Sequence, residues 1–448
     1  VLLDQQARLL AQLPDAPDSL RLEAATLRGG ARRMRSDPRG CLQQMQPLRG
    51  LADREQEQLP AQVAAFFAQL ARCHRDLSEH NLANQLFTRA LTLRREHGDD
   101  VGVAESLLDL AALRADDGQP RESIRILREA LVQLRQRVGE RHPLAIDMLR
   151  SLCSLERSND AVADAERDCR ESLSLALQLH GRDHRATIDA RRQLAALYVD
   201  LGRFSEAESE FLDTYAWMRT RLPPQHPDVA RTYNSLGIVA WERGDIPRAL
   251  RFQRQAVDAW RSGHNRGLTA AGLFNLALIL HSDGQHGEAL PLARQARALR
   301  VERFGARHEL VGDSDRLLGD ILAALGQHGE AEAALRNAVA VNRAGYGVEH
   351  SHTRRAEISL ARFEALRGRP GALPRLQAMA SHRDDDIEQR KASWLAAAYA
   401  AQVECARPSP RTMNQLDAVL AQIQLHLPEG GAVPREVAAI RAGCARRP

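Results

Sequence analysis

A short phrase that recurs about every 42 residues is the feature of this sequence that most restricts its fold. The phrase is a leucine followed by a small residue, with a glycine seven positions later. A fixed period of this kind indicates an array of equivalent supersecondary units that bury their apolar faces against one another. The five pairs are Leu194-Ala195, Leu236-Gly237, Leu276-Ala277, Leu318-Gly319 and Leu360-Ala361, and the glycines are Gly202, Gly244, Gly284, Gly326 and Gly368.

Within one period, two amphipathic stripes flank a glycine turn. Ala230, Tyr233 and Leu236 recur at helical spacing, and this first stripe ends near Gly244. Asp245 follows, and aspartate is a residue type that caps helix N-termini. Each unit is therefore predicted to be a helix, a tight turn and a second helix that approach closely at small residues. The second stripe comprises Ala249, Phe252, Ala256 and Ala259.

Successive units are joined by another recurring phrase, Gly-x-x-His, at 139–142, 181–184, 305–308 and 347–350. With the long period, this phrase resembles the tetratricopeptide repeat in its kinesin-light-chain-like version. The resemblance implies an all-α fold: an α-solenoid in which antiparallel helix pairs stack into a right-handed superhelix. The recurring histidines are expected to bond helix ends, because neighbouring units lie too far apart for one metal ion to collect them.

The resemblance also divides the chain into three regions. About eight repeat units cover residues 59–384. A degenerate helical cap is expected at 1–58 and a helical cap at 385–448, since the outermost unit of a solenoid must offer a polar face to water. The first residue is Val1, so we expect the chain to be a processed or excised fragment.

Charge and motif content argue against several function classes. The net charge of +4 arises from 62 basic and 58 acidic residues, which gives no basic excess for nucleic acid. No apolar run reaches the roughly 18 residues that span a bilayer, so we expect no membrane contact by this fragment. Metalloprotease, serine-hydrolase, phosphate-loop and kinase motifs are not found. We therefore expect neither catalysis, nor a cofactor, nor a bound metal.

The resemblance implies that the first helix of each unit lines a concave groove. Arg150, Arg192 and Asn234 would then form a ladder of donors suited to a peptide or its carboxylate. Alternatively, the arginines are neutralised by aspartates three residues earlier, Asp147 and Asp189, as Arg316 would be by Asp313. Trp241 is either an anchor for a partner or buried against the next unit. The predicted groove residues are Arg150, Arg192, Arg231, Asn234, Trp241, Phe274, Arg316 and Asp320.

The six cysteines form no CxxC pair, which argues against a zinc site. Cys153 and Cys169 fall on the two helices of one unit, where those helices should touch. They are predicted to be either a disulfide or two buried thiols in a reducing compartment.

We therefore predict a non-enzymatic protein–protein interaction module that receives a peptide or a partner helix in its groove. The sequence is also similar to the repeat arrays that follow the kinase domain and membrane helix of proteobacterial serine/threonine kinases, or the DNA-binding domain of some regulators. That similarity implies, as the alternative, an extracytoplasmic sensor domain. The expected location is periplasmic, with a cytoplasmic location as the alternative.

Overall fold

The computed structural model describes residues 16–35, 37–159, 161–263, 265–381, 387–405 and 409–446. These residues form helices, turns and connecting loops, and none of them is in a β-strand, which confirms the all-α solenoid. Two compact units divide the chain between Gln193 and Leu194. No helix in the described ranges combines the length and the apolar character needed to cross a bilayer.

The first unit begins with one helix of 17 residues and two short helices, and continues as helix pairs. Phe66, Phe67 and Phe87 are fully buried in its N-terminal core. Its helices are α1 (Asp18–Met34), α2 (Pro38–Met45), the 3-10 turn Gln46–Leu48, α3 (Arg49–Arg54), α4 (Pro60–Asp76), α5 (His80–Glu96), α6 (Asp100–Asp116), α7 (Pro120–Val138), α8 (Pro143–Ser158) and α9 (Val162–His180). The division between the units falls inside α10 (Arg185–Asp200).

The second unit contains further helix pairs and three helices at the C-terminal end. Leu280, Leu317 and Ile321 are buried between its repeats, and Trp394 and Leu416 are buried among the last helices. Its helices are α11 (Phe204–Met218), α12 (Pro227–Glu242), α13 (Ile246–Ser262), α14 (Arg266–Ser282), α15 (His286–Phe304), α16 (Glu309–Ala324), α17 (His328–Gly345), α18 (Ser351–Leu366), α19 (Ala372–Ala380), α20 (Ile387–Glu404), α21 (Pro410–His426) and α22 (Ala432–Ala445).

The recurring glycines end the first helix of each pair. Gly244 has a φ of 82°, a left-handed conformation that glycine adopts without a steric penalty. The Asp245 side chain then accepts a hydrogen bond of 3.1 Å from the main-chain N–H of Arg248, so this residue caps α13 as predicted. The turn between the helices is thus specified by two adjacent residues.

The recurring histidines cap helix N-termini, which confirms their predicted structural role. In each case the Nδ1 atom accepts a hydrogen bond of 3.2 Å from the main-chain N–H two residues later. These bonds satisfy donors that have no partner inside the helix. The capping residues are His142, His184, His226, His308 and His350.

Small residues at the repeated positions let paired helices approach closely. A Cβ atom at Gly319 would lie 2.6 Å from Cγ of Leu335 and 3.2 Å from the carbonyl oxygen of Ala331. Separations this short require the neighbouring helix to move. The glycine is therefore the residue that permits the packing of α16 on α17.

The six cysteines form three disulfides. Cys153 is bonded to Cys169, which joins α8 to α9 across a Cα–Cα distance of 5.2 Å. The other two bridges are Cys41–Cys73, between α2 and α4, and Cys405–Cys444, which attaches α22 to the residue after α20.

Candidate functional site: a helix-lined cavity in the second unit

The first helices of successive repeats line a single cavity of about 1160 Å³ in the second unit. The helices α12, α14, α16 and α18 contribute one wall each, and α20 and α22 of the C-terminal region complete the circuit. Apolar side chains such as Leu278, Ile358 and Leu395 alternate there with charged ones. The cavity thus combines apolar side chains with numerous convergent charged and polar groups.

The chain closes this circuit with its own C-terminal segment, residues 427–439, which we name the C-terminal strap. The Arg435 guanidinium donates hydrogen bonds to the carbonyl oxygens of Trp241 and Glu242. The main-chain N–H of Ala432 donates to the Glu242 carboxylate at 2.7 Å. Glu429 accepts a bond of 2.8 Å from the main-chain N–H of Ser205. The predicted groove is therefore not an open trough here, because the chain itself crosses it.

Near its other end the strap is held by α18 and α20. The Tyr399 hydroxyl donates to Glu436 at 2.5 Å, and Arg362 lies 3.8 Å from the same carboxylate. Burial, followed by the Glu436 charge, raises the pKa of Tyr399 well above its usual value, so the phenol stays protonated as a donor. Beyond the strap, the Cys405–Cys444 disulfide attaches the end of α22 covalently.

Charged pairs within single helices lie along the cavity, and one of them is also bonded to the next helix. Asp320 accepts from Arg316 at 2.9 Å and from the Ser359 hydroxyl at 3.2 Å. Burial raises the pKa of Asp320, and the nearby arginines oppose that effect. Lys391, the single lysine of the sequence, lies 2.7 Å from Glu388. These groups offer both hydrogen-bond donors and acceptors to the cavity.

Two histidines add ring nitrogens to the lining. The rings of His281 and His286 lie 4.8 Å apart between centroids, and each Nδ1 atom is buried without a hydrogen-bond partner in the described part of the chain. Burial lowers the pKa of His281 to about 4, with a smaller contribution from His286. His281 is therefore uncharged at neutral pH and has an unused ring nitrogen beside the cavity.

The family model described as tetratricopeptide repeat matches residues 144–220, 228–302 and 268–344. The chain carries a tetratricopeptide repeat array. Arrays of this kind are generally non-enzymatic scaffolds for protein–protein interaction, and the solenoid is shared with solved structures of low sequence identity. No curated protein matches the sequence.

Three solved structures illustrate the shared fold. The apo form of the quorum sensor NprR from B. thuringiensis has a TM-score of 0.54 and 11% identity, over 78% of this chain and 95% of that one. Aspartyl phosphate phosphatase F from Bacillus subtilis has a TM-score of 0.53 and 12% identity, over 87% and 95%. A Rap protein complexed with competence and sporulation factor has a TM-score of 0.51 and 14% identity, over 76% and 98%. At these identities the likeness extends to the fold alone.

The cavity of the array brings together three of the predicted groove residues: Trp241, Arg316 and Asp320. Trp241 both lines the cavity and contacts the next unit, because its Nε1 donates to the Ser282 hydroxyl at 2.8 Å. Trp241 was predicted either to anchor a partner or to pack against the next unit, and each interpretation describes part of its surroundings. Arg316 bonds to Asp320, four residues later, instead of to Asp313, which accepts from Tyr346 and contacts His352.

The other predicted residues of the second unit do not line the cavity. Arg231 pairs with Asp228 at 3.1 Å on α12. Asn234 accepts from Gln253 at 2.8 Å and from Asn275 at 2.9 Å, so its carbonyl oxygen connects three helices. Phe274 packs beneath the Arg300 guanidinium at 4.5 Å from the ring centroid.

Arg150 and Arg192 lie in the first unit. Arg150 is 2.9 Å from Asp147, and Arg192 is 3.7 Å from Asp189, which matches the alternative of neutralising pairs. Since Asn234 belongs to the second unit, the ladder of donors stays a prediction.

Sequence reasoning missed the contribution of the C-terminal region to the site. Lys391, Tyr399 and Glu436 line the cavity, and the repeat pattern assigns none of them to it. The isolated lysine was the one available signal, because a residue type used once in 448 positions is conspicuous. The repeat pattern ends before this region, so no positional rule places its side chains.

Proposed function

We propose that the second unit of the array binds a peptide in its helix-lined cavity and that the chain acts as a protein–protein interaction module. The observation that carries this proposal is that Trp241, Arg316 and Asp320 all line one cavity. The volume of about 1160 Å³ exceeds the roughly 300–1,000 Å³ that is typical of small-molecule sites. A Rap protein of similar fold is complexed with competence and sporulation factor, which supports the use of such an array to hold a binding partner.

The chemistry of the lining suits a polypeptide main chain. An extended peptide presents N–H and C=O groups at about 3.3 Å per residue, together with a charged group at each end. Arg316 and Lys391 can donate hydrogen bonds to carbonyl or carboxylate groups of a peptide. Asp320 and Glu388 can accept hydrogen bonds from its N–H or ammonium groups. Trp241 supplies the large apolar surface that is typical of binding hot spots.

The test uses a randomised library of linear peptides of about six residues. Peptides retained by the full chain are identified by mass spectrometry, and their dissociation constants are measured. Trp241→Ala should weaken binding by about tenfold or more, as loss of a central aromatic does. Trp217→Ala is the matched control, because Trp217 does not line the cavity. Equal dissociation constants for both variants and the wild type would show that the peptides do not bind in the cavity.

A second candidate is an extracytoplasmic sensor domain of a larger bacterial protein, a transmembrane serine/threonine kinase or a transcriptional regulator. All six cysteines are paired, and disulfides persist in oxidising compartments such as the periplasm. A periplasmic location follows from this candidate, with the cytoplasm as the alternative.

Thiol alkylation of protein recovered from its native compartment tests this candidate. The sensor interpretation expects the mass of the unreduced chain to remain unchanged by the alkylating reagent. Addition of six alkyl groups without prior reduction would contradict an oxidising location.

A further inference from the structure

We propose that the cavity admits ligands with a free end, short linear peptides above all, because the C-terminal strap closes the ring of helices around it. This inference rests on the peptide-binding function proposed above and narrows it. An internal segment of a folded protein, which continues on both sides, can lie through such a ring only if the ring opens.

The ring consists of six helices in contact order. The sequence of contacts runs from α12 through α14, α16 and α18 to α20 and then α22. The strap at the start of α22 returns to the end of α12 and completes the circuit. Five of these junctions follow from repeat stacking and from packing within the C-terminal region. The sixth, between α12 and α22, joins residues about 190 positions apart.

The closing junction is a reciprocal pair of helix caps. The last carbonyl groups of α12 have no partner inside the helix, and two of them accept from Arg435. The first N–H groups of α22 likewise lack partners, and the Glu242 carboxylate accepts from one of them. The charges also suit the helix dipoles, with a cation at the C-terminal end and an anion at the N-terminal end.

The segment formed by the strap and the rest of α22 is attached differently at its two ends. The Cys405–Cys444 disulfide fixes the far end of α22 covalently. The contacts of Glu429, Ala432 and Arg435 with the α11–α12 region are hydrogen bonds and ion–dipole contacts, which can open and re-form. The ring therefore opens at the α12–α22 junction if it opens at all.

A closed ring imposes a geometric condition on the ligand. A linear peptide enters by one end and threads along the cavity while the strap stays closed. A segment flanked by folded domains can bind only to those molecules in which the strap is open. Its apparent dissociation constant is therefore the intrinsic constant divided by the fraction of open molecules.

The test compares one peptide in two forms. The dissociation constant of a linear peptide selected from the randomised library is measured for the free peptide and for a stoppered form. In the stoppered form, the same peptide links two copies of an inert folded protein, one at each end. Both forms are measured on the full chain, on Arg435→Ala and on Glu242→Gln combined with Glu429→Gln. The control is Arg446→Ala, since Arg446 lies just after α22 and its side chain donates a hydrogen bond to the carbonyl oxygen of Ala442, away from the strap contacts. Hydrogen exchange of the strap, and of the repeats as a folding check, is followed in every variant.

The proposal expects the wild type to bind the stoppered form at least about tenfold more weakly than the linear form. The ratio should approach unity in both opened variants and stay at its wild-type value in Arg446→Ala. Equal binding of the two forms by the wild type would overturn the closed ring while leaving peptide binding in place. Failure of every linear peptide to bind any variant would instead refute the peptide-binding function itself.

Discussion

The carboxylate of Glu242 accepts a hydrogen bond of 2.7 Å from the main-chain N–H of Ala432, which lies 190 residues further along the chain. Glu242 is the last residue of α12 and Ala432 is the first residue of α22. One side chain thus caps a helix of the C-terminal region from within the repeats, and it does so at the rim of the cavity.

Glu242→Gln should loosen the strap without unfolding the repeats. A carboxylate acceptor is roughly twice as strong as a neutral one, so the change is expected to weaken closure by about 1 kcal/mol. Hydrogen exchange of the Ala432 amide should then be several-fold faster than in the wild type. Glu288→Gln, an exposed glutamate in the first turn of α15, should leave that rate unchanged. Slower or equal exchange in Glu242→Gln would contradict the capping role.

The Cys153–Cys169 bridge should stabilise the first unit. The two residues are 16 positions apart, and a loop of that size corresponds to about 3 kcal/mol in the chain-entropy model. The double variant Cys153→Ala/Cys169→Ala is expected to lower the free energy of unfolding by about that amount in denaturant titrations. Reduction of the wild type should destabilise the first unit further, because it also breaks the Cys41–Cys73 bridge of that unit. A denaturation midpoint insensitive to both changes would argue against the bridge.

The repeat architecture was predictable because it depends on local and periodic information. The glycine at 244, the cap at Asp245 and the close approach at Gly319 are each specified within one period, and the structure has all three features. The histidine caps were also accessible, because each lies directly before its helix.

The site was less predictable because several charged side chains have more than one possible partner within reach. Arg316 can reach an aspartate either three residues before or four residues after it, and both are present. Asp313 is engaged by Tyr346 and His352, so Arg316 bonds to Asp320. Periodicity alone carries no information about such competition.

No sequence pattern marks the end of α12 as the position that the strap contacts. Arg435 is one of two arginines on the aperiodic C-terminal helix α22, and its acceptors are main-chain carbonyls that any residue supplies. A cap that follows the last repeat need only cover that repeat, whereas this C-terminal region also contacts α12. A contact between such distant positions is determined by tertiary packing.

Gly319→Ala should destabilise the second unit. The added methyl group would lie 2.6 Å from Leu335 Cγ and 3.2 Å from a main-chain oxygen, so α16 and α17 must separate. Overpacking of this kind is expected to cost about 1–3 kcal/mol. The matched control is Gly329→Ala in α17, where a Cβ atom would meet nothing within 4 Å. Thermal unfolding should show a lower midpoint for Gly319→Ala and an equal or higher midpoint for Gly329→Ala, and the reverse order would refute the close-packing argument.

The stability of the first unit should decrease as the pH rises through the titration of Glu156. Glu156 and Asp168 are both buried, and the Arg128 guanidinium lies 2.6 Å from the first and 2.8 Å from the second. Burial, and then the charge of Asp168, raises the pKa of Glu156 to about 7 from an ordinary value of 4.5, against the opposing effect of Arg128.

Between these two pH values the folded state binds a proton that the unfolded chain has lost. The free energy of unfolding therefore falls with rising pH across this window, by roughly 2–3 kcal/mol. Denaturant titrations from pH 4.5 to 8 should record that slope in the wild type. Glu156→Gln should flatten it, because the amide mimics the protonated acid, whereas the exposed Glu129→Gln should retain it. A wild-type slope that Glu156→Gln leaves intact would assign the pH dependence to another group.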